Sequence, residues 1–212
     1  MLLSLLLFFL STVPQRVISL APNITEILFA LNAQNSLIAV SDYCDYPPEA
    51  KKLPKLGGVL NFHFEKIRSM KPDLVLMLET KNPDLRAHFQ KLHIPVEEFT
   101  FETLQDIERG ILRIGSITGK EKEAREWAEK IKKLREKKPP AHRMKVAFVI
   151  HREPDFSHFF LAGKPSFIGE LLIRAGGVPP DCSRLYCSFS LEALVQFAPE
   201  VILEFSSAEG KS

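Results

Sequence analysis

Short apolar runs rich in β-branched residues alternate with amphipathic stretches along most of the chain, a pattern that predicts parallel α/β construction. Arg16–Leu20, Leu37–Ser41, Asp73–Leu78 and Val96–Phe101 read as strands in the first half, and Lys145–His151 and Val201–Phe205 in the second. Between the early strands, helical spacing covers Thr25–Leu31, Phe64–Met70 and Asp84–Leu92. Asn23-Ile-Thr-Glu26 sets a capping residue three positions before a carboxylate and predicts a helix start there. Asn23-Ile24-Thr25 also matches a glycosylation sequon, and the cap is the preferred reading.

The middle of the chain is patterned differently. Thr103–Thr118 and Lys120–Lys138 are two helical stretches broken near Gly119, and Pro139-Pro140 ends the second. Trp127, Ile131 and Leu134 form its apolar stripe, while Glu121/Arg125, Glu126/Lys130 and Glu129/Lys133 are acid-before-base pairs on a solvated face. Such a segment makes a stiff spine between two α/β regions.

Those regions repeat one another. Phe64–Leu78 overlays the segment from Leu191 to Phe205 at a constant offset of 127 residues, with Glu65/Glu192, Pro72/Pro199 and Leu76/Leu203 identical. Each copy reads as a short helix, a proline that stops it and a buried strand. Arg16–Leu20 likewise resembles Lys145–Val149 as an opening strand, and Thr25–Ala33 resembles Ile168–Gly176 as the helix after it. The organisation expected is a signal-like apolar segment at 1–13, an N-terminal α/β lobe at 14–102, a helical spine at 103–138 and a C-terminal α/β lobe at 139–212. A cleft between such lobes is a favoured place for a small ligand.

Composition narrows the function. Twenty-eight basic residues against 26 acidic ones give a net charge of +2, and 45% of residues are hydrophobic. That argues against a disordered chain and against a basic nucleic-acid arm. Met1–Leu10 holds nine apolar residues and one serine, too few for the roughly 20 needed to span a bilayer, and resembles the core of a secretory signal without basic residues before it. The expectation is an exported protein, and with no cysteine directly after the run, one without a lipid anchor. Cys44, Cys182 and Cys187 then meet an oxidising compartment, where the last two are close enough in sequence to pair, with one left over.

Dinucleotide, P-loop and nucleophile-elbow motifs are absent. Cys44 beside Tyr43 and Asp45 lacks a basic neighbour to activate its thiol. None of the six histidines (63, 88, 93, 142, 151, 158) has zinc-site spacing. They read as hydrogen-bonded bystanders, with an axial role toward a bound metallocofactor left open.

Arg16–Phe29, Ser41-Asp-Tyr-Cys-Asp-Tyr-Pro-Pro-Glu-Ala50, Leu56-Gly-Gly58, Met70–Val75 and Ala162-Gly-Lys-Pro-Ser-Phe-Ile-Gly169 through Gly177 together resemble the vitamin-B12-type periplasmic binding proteins. That family supplies cobalamin, ferric siderophore or haem to ABC importers, and the Asp-Tyr-Cys-Asp-Tyr-Pro-Pro segment is similar to the cobalamin branch. The resemblance implies an α/β fold of two Rossmann-like lobes joined by a long rigid backbone helix, with the second lobe incomplete because the family continues beyond Phe205. It implies ligand contacts at Pro22, Asn23, Tyr43, Val59, Leu60, Asn61, Phe160 and Tyr186, and transporter docking through Glu65 and Glu192. It also implies a periplasmic or otherwise extracytoplasmic, monomeric, non-enzymatic component. Its ligand would be a corrinoid such as cobalamin or another metal chelate held in the inter-lobe cleft, with no catalytic cofactor, no metal site of its own and no nucleic-acid partner. Its other partners would be the membrane subunits of an ABC transporter. The alternatives are a ferric-siderophore or haem binder of the same fold, an α/β enzyme using Cys44 or histidines, and a degenerate copy that binds nothing.

Overall fold

The computed structural model describes residues 13–58 and 61–205. The apolar run at Met1–Leu10, Val59, Leu60 and the last residues, Ala208–Ser212, lie outside the described residues. Two compact units emerge: one holds the residues up to Thr100 plus Gly110–Trp127, the other Phe101–Arg109 plus the residues from Ala128 onward.

The first unit is built on four parallel strands, β1 (Val17–Ser19), β2 (Leu37–Val40), β3 (Leu74–Leu78) and β4 (Val96–Phe99), in the order β2-β1-β3-β4. Val17 aligns with Leu37 on one side and Leu74 on the other, and Val75 aligns with Val96. Strands covered on both faces read as near-continuous apolar runs, and β1 is buried at all three positions. Helices α1 (Pro22–Ala30), α2 (Phe64–Ser69) and α3 (Pro83–Lys91) alternate with the strands. Ile18, Leu20, Ala39, Ile67, Val75, Met77 and Phe89 form the shared core.

The expected cap at Asn23 does not form. The N-cap of α1 is Ala21, without a side-chain bond, and Pro22 takes the first helical position. Proline suits that position because its φ is preset and its missing N–H would have no helical partner there. Asn23 therefore lies inside the first turn, where its Oδ1 accepts from the Ile24 N–H at 3.0 Å. A reciprocal cap forms elsewhere, at the start of α4 (Leu104–Thr118). Thr103 donates to Asp106 Oδ2 through its N–H (3.0 Å) and hydroxyl (2.7 Å), and the Asp106 N–H returns a bond to Thr103 Oγ1 at 3.1 Å. Gly119, at φ +66, separates α4 from α5 (Glu121–Glu136).

In the second unit the nine-residue strand β5 (Met144–Arg152) is common to three neighbours. The short β7 (Gly177–Val178) pairs in parallel with its start and β9 (Val201–Glu204) in parallel along its middle. An antiparallel strand, β6 (His158–Ala162), pairs with its end, and β8 (Tyr186–Ser190) runs antiparallel to β6. This sheet is mixed, a correction to the purely parallel construction expected from alternation. β6 and β8 fall in segments whose aromatic, serine and cysteine content hid them, and β7 is only two residues long. Helices α6 (Phe167–Ala175) and α7 (Leu191–Phe197) complete the unit, and Ala147, Val149, Phe159, Leu161 and Leu194 form its core.

The repeat extends to backbone conformation. Just past the ends of α2 and α7, Lys71 and Ala198 are both left-handed (φ 47 and 50) and both followed by proline, with β3 and β9 after them. Asp73 Oδ2 accepts from the Arg16 N–H at 2.9 Å, and its own N–H donates to the Arg16 carbonyl. Glu200 repeats the exchange with the Lys145 backbone at 2.9 Å and 2.8 Å.

Candidate functional site

In a parallel α/β sheet, ligands gather at the carboxyl ends of the strands. In the first unit those ends meet two loops, one after β2 and one before α2. Asp42 clamps them together: its N–H donates to the Gly57 carbonyl at 3.0 Å, and its Oδ1 accepts from the Gly57 N–H at 2.9 Å. Gly57 sits at φ +89, and a Cβ there would lie 2.3 Å from the Asn61 carbonyl, so only glycine closes this turn. Asn61 returns to Gly58, with Oδ1 accepting from the Gly58 N–H at 3.1 Å and its own N–H donating to the Gly58 carbonyl at 3.0 Å. The Tyr43 ring lies against Gly58, since a Cβ on that residue would come within 2.9 Å of Tyr43 Cε2. Tyr43 is nonetheless 64% exposed, a flat aromatic surface on a pinned loop.

Beneath it, Cys44 is fully buried. Its sulfur meets the Thr25 hydroxyl at 3.2 Å and the Ser41 hydroxyl at 3.1 Å, while Thr25 also donates to Ser19 Oγ at 2.8 Å. Lys55 Nζ donates to the Cys44 carbonyl. The Cys44 thiol thus anchors the loop, and the attacking thiol of the enzyme alternative has no path to solvent. Because Thr25 ties the first turn of α1 to this loop, half-buried Pro22 and Asn23 belong to the same end of the sheet as Tyr43 and Asn61. Glu26, one turn on, has its carboxyl pushed up first by burial and then by the negative charge of Asp45.

The second unit offers another aromatic surface. Phe160 of β6 and Tyr186 of β8 are diagonal neighbours in the ladder, with Phe160 opposite Ser188 and Ala162 opposite Tyr186. Their rings stack at 5.7 Å between centroids with 27° between planes, and Phe160 is 41% exposed. Burial, then the charge of Glu102, pushes the Tyr186 phenol up. Cys182 and Cys187 are joined in a disulfide across the segment that leads into β8.

Glu65 and Glu192 occupy the second position of α2 and α7, both exposed. The Glu192 carboxyl is held below the usual carboxylate range by its own backbone N–H and then by the Ser190 hydroxyl, with His158 adding a smaller attraction. His88 stacks on Phe64 at 4.2 Å, and His158 Nδ1 lies 3.3 Å from Ser157 Oγ. Among the described residues no group of three or more histidines, cysteines or carboxylates could hold a metal ion.

The structure therefore brings Tyr43 and Asn61 together over Gly58, sets Pro22 and Asn23 at that end of the sheet, and stacks Phe160 on Tyr186. Sequence reasoning missed Glu26, Glu102 and the role of Gly58. The Asp-Tyr-Cys-Asp run and the paired Leu-Gly-Gly carried a signal for the glycine, and none was available for Glu102. Each surface by itself, the Tyr43 ring on its pinned loop and the Phe160–Tyr186 stack on paired strands, offers exposed aromatic area to a flat, largely apolar molecule.

A family model described as "Periplasmic binding protein" matches residues 17–211. The vitamin B12-binding protein of Vibrio parahaemolyticus is 30% identical over 195 residues, covering 89% of this chain and 70% of its own length. Among solved structures, the periplasmic vitamin B12 binding protein of Vibrio cholerae is similar with a TM-score of 0.74 at 26% identity, over 91% of this chain and 76% of its own. A possible iron-binding, periplasmic solute-binding protein from Staphylococcus epidermidis aligns with a TM-score of 0.75 at 26% identity, over 95% of this chain and 80% of its own.

Proposed function

The chain belongs to the periplasmic binding protein family, and from that premise we propose that it is an extracytoplasmic, non-enzymatic carrier that captures cobalamin or a related corrinoid. It delivers this cargo to the membrane subunits of an ABC importer. Relatives 30% identical over 89% of this chain are named as vitamin B12-binding proteins. The observation that carries the reading is the pair of exposed aromatic surfaces, Tyr43 over Gly58 and Phe160 stacked on Tyr186. Exposed rings held by their surroundings lose little conformational freedom when a macrocycle covers them. Pro22, Asn23 and Asn61 line the first surface, and Val59 and Leu60 join them as contacts on the sequence resemblance alone. Glu65 and Glu192 serve the second step, docking to basic groups of the transporter, where exposed charges orient a partner and raise its rate of encounter.

Removing either ring tests the assignment. Tyr43→Ala and Tyr186→Ala are each expected to weaken cyanocobalamin binding by about 1–3 kcal/mol of lost burial, read by calorimetric titration. Unchanged affinity in both variants overturns it. A ferric-siderophore or haem ligand is the second reading, favoured by the likeness to a possible iron-binding protein at 26% identity. Tight hemin or ferric-chelate binding without corrinoid binding would select it.

A further inference from the structure

The segment between the paired cysteines is fixed from two directions. The disulfide joins residues five apart in sequence, and the loop packs directly on Gly163. A Cβ on Gly163 would lie 2.2 Å from the Arg184 carbonyl and 2.7 Å from Cys182 Sγ. The Gly163 N–H donates to the Leu185 carbonyl at 2.8 Å, and the Gly163 carbonyl accepts from the Ser166 hydroxyl at 2.8 Å. Ser166 is itself fully buried and caps α6 by accepting from the Gly169 N–H. Tyr186 follows immediately, as the first residue of β8 and next to Cys187.

We propose that the Cys182–Cys187 disulfide, seated on Gly163, is a positioning device that holds Tyr186 in its stack with Phe160, so that ligand affinity at this surface depends on the redox state of the pair. The proposal rests on the ligand reading above and adds a residue pair to it. A short covalent loop limits the conformations open to the segment entering the strand. With the bond cut, Tyr186 keeps its ladder partner but loses the fixed approach of the loop before it. The ring is then free to leave Phe160 and turn to solvent. The cleavage is an ordinary thiol–disulfide exchange: a dithiol supplies two electrons and two protons, the S–S bond breaks into two thiols, and the dithiol closes to its own cyclic disulfide.

The experiment uses the full chain carrying Tyr43→Phe and Tyr46→Phe, which leaves Tyr186 as its one tyrosine, compared oxidised and after dithiothreitol. Two quantities are read: the pH titration of the tyrosine by tyrosinate absorbance, and cyanocobalamin affinity. Reduction is expected to move the phenol titration down towards that of free tyrosine and to weaken binding about tenfold. The variant Cys182→Ser with Cys187→Ser should reproduce both effects without reductant, with far-ultraviolet circular dichroism confirming a retained fold. A tyrosine titration that is the same oxidised, reduced and in the double variant overturns the proposal. Should the oxidised wild-type chain, titrated alongside, bind no corrinoid, the ligand reading fails, while the phenol titration still decides the positioning role on its own.

Discussion

Thr103 and Asp106 close a reciprocal cap on α4 with three hydrogen bonds, and the arrangement has a measurable pH signature. Burial is the largest influence on the Asp106 carboxyl and pushes it up. The Thr103 hydroxyl, Arg109 and the Thr103 N–H together outweigh burial, so the carboxyl ends below its usual range. A carboxyl depressed in the folded state contributes stability above its unfolded value, about 3.9, and loses it as pH falls through the folded value. Asp106→Ala is expected to cost about 1 kcal/mol at neutral pH, with the gap from wild type shrinking in strong acid. Urea unfolding at several pH values checks both statements. The Thr-x-x-Asp signature was as plain in the sequence as the Asn23…Glu26 one, yet only the former forms a box. Pro22 decides the difference, since a proline fixed at the first helical position leaves Asn23 inside the helix. Tyr43 was legible as a candidate contact from its motif, and the structure leaves its ring exposed against Gly58. The buried role of Cys44 was not, because one of its partners, Thr25, lies 19 residues away in sequence.

Among elements, the internal repeat was the strongest signal and survives in finer detail than residue identities suggest. The left-handed Lys71 and Ala198 precede their prolines at equivalent positions, and Asp73 and Glu200 bind the start of their neighbouring strands in the same way. Neither lysine nor alanine favours that backbone region, so nothing in the residue types announced it. Glycine adopts it without strain, and Ala198→Gly should raise stability by about 0.5–1 kcal/mol. Denaturant melts of the variant test this, and a loss of stability would mean that the alanine methyl packs usefully. The antiparallel strands β6 and β8 were illegible for another reason. Phe159 and Leu161 point into the core while Phe160 is exposed on the opposite face, so the run looks uniformly apolar. The alternation that marks a half-buried strand is hidden by the very aromatic that forms the candidate site.

For the whole molecule, two steps are proposed, capture and delivery, and they separate by mutation. Glu65→Lys or Glu192→Lys should abolish uptake in cells that depend on this carrier while leaving ligand affinity in solution intact. Each acid also sits in the first turn of a helix, where a carboxylate favours the helix dipole by roughly 0.3–1 kcal/mol. A double reversal that transports as well as wild type would leave only that local role. The central claim is capture of a corrinoid, and direct titration is its test. The purified chain is titrated in parallel with cyanocobalamin, hemin and a ferric siderophore, following ligand absorbance and Trp127 fluorescence. Saturable one-to-one binding of cyanocobalamin, tighter than that of the other two, is the expected result. Saturable binding of hemin or the ferric chelate with none of cyanocobalamin, or binding of none of the three, would contradict it.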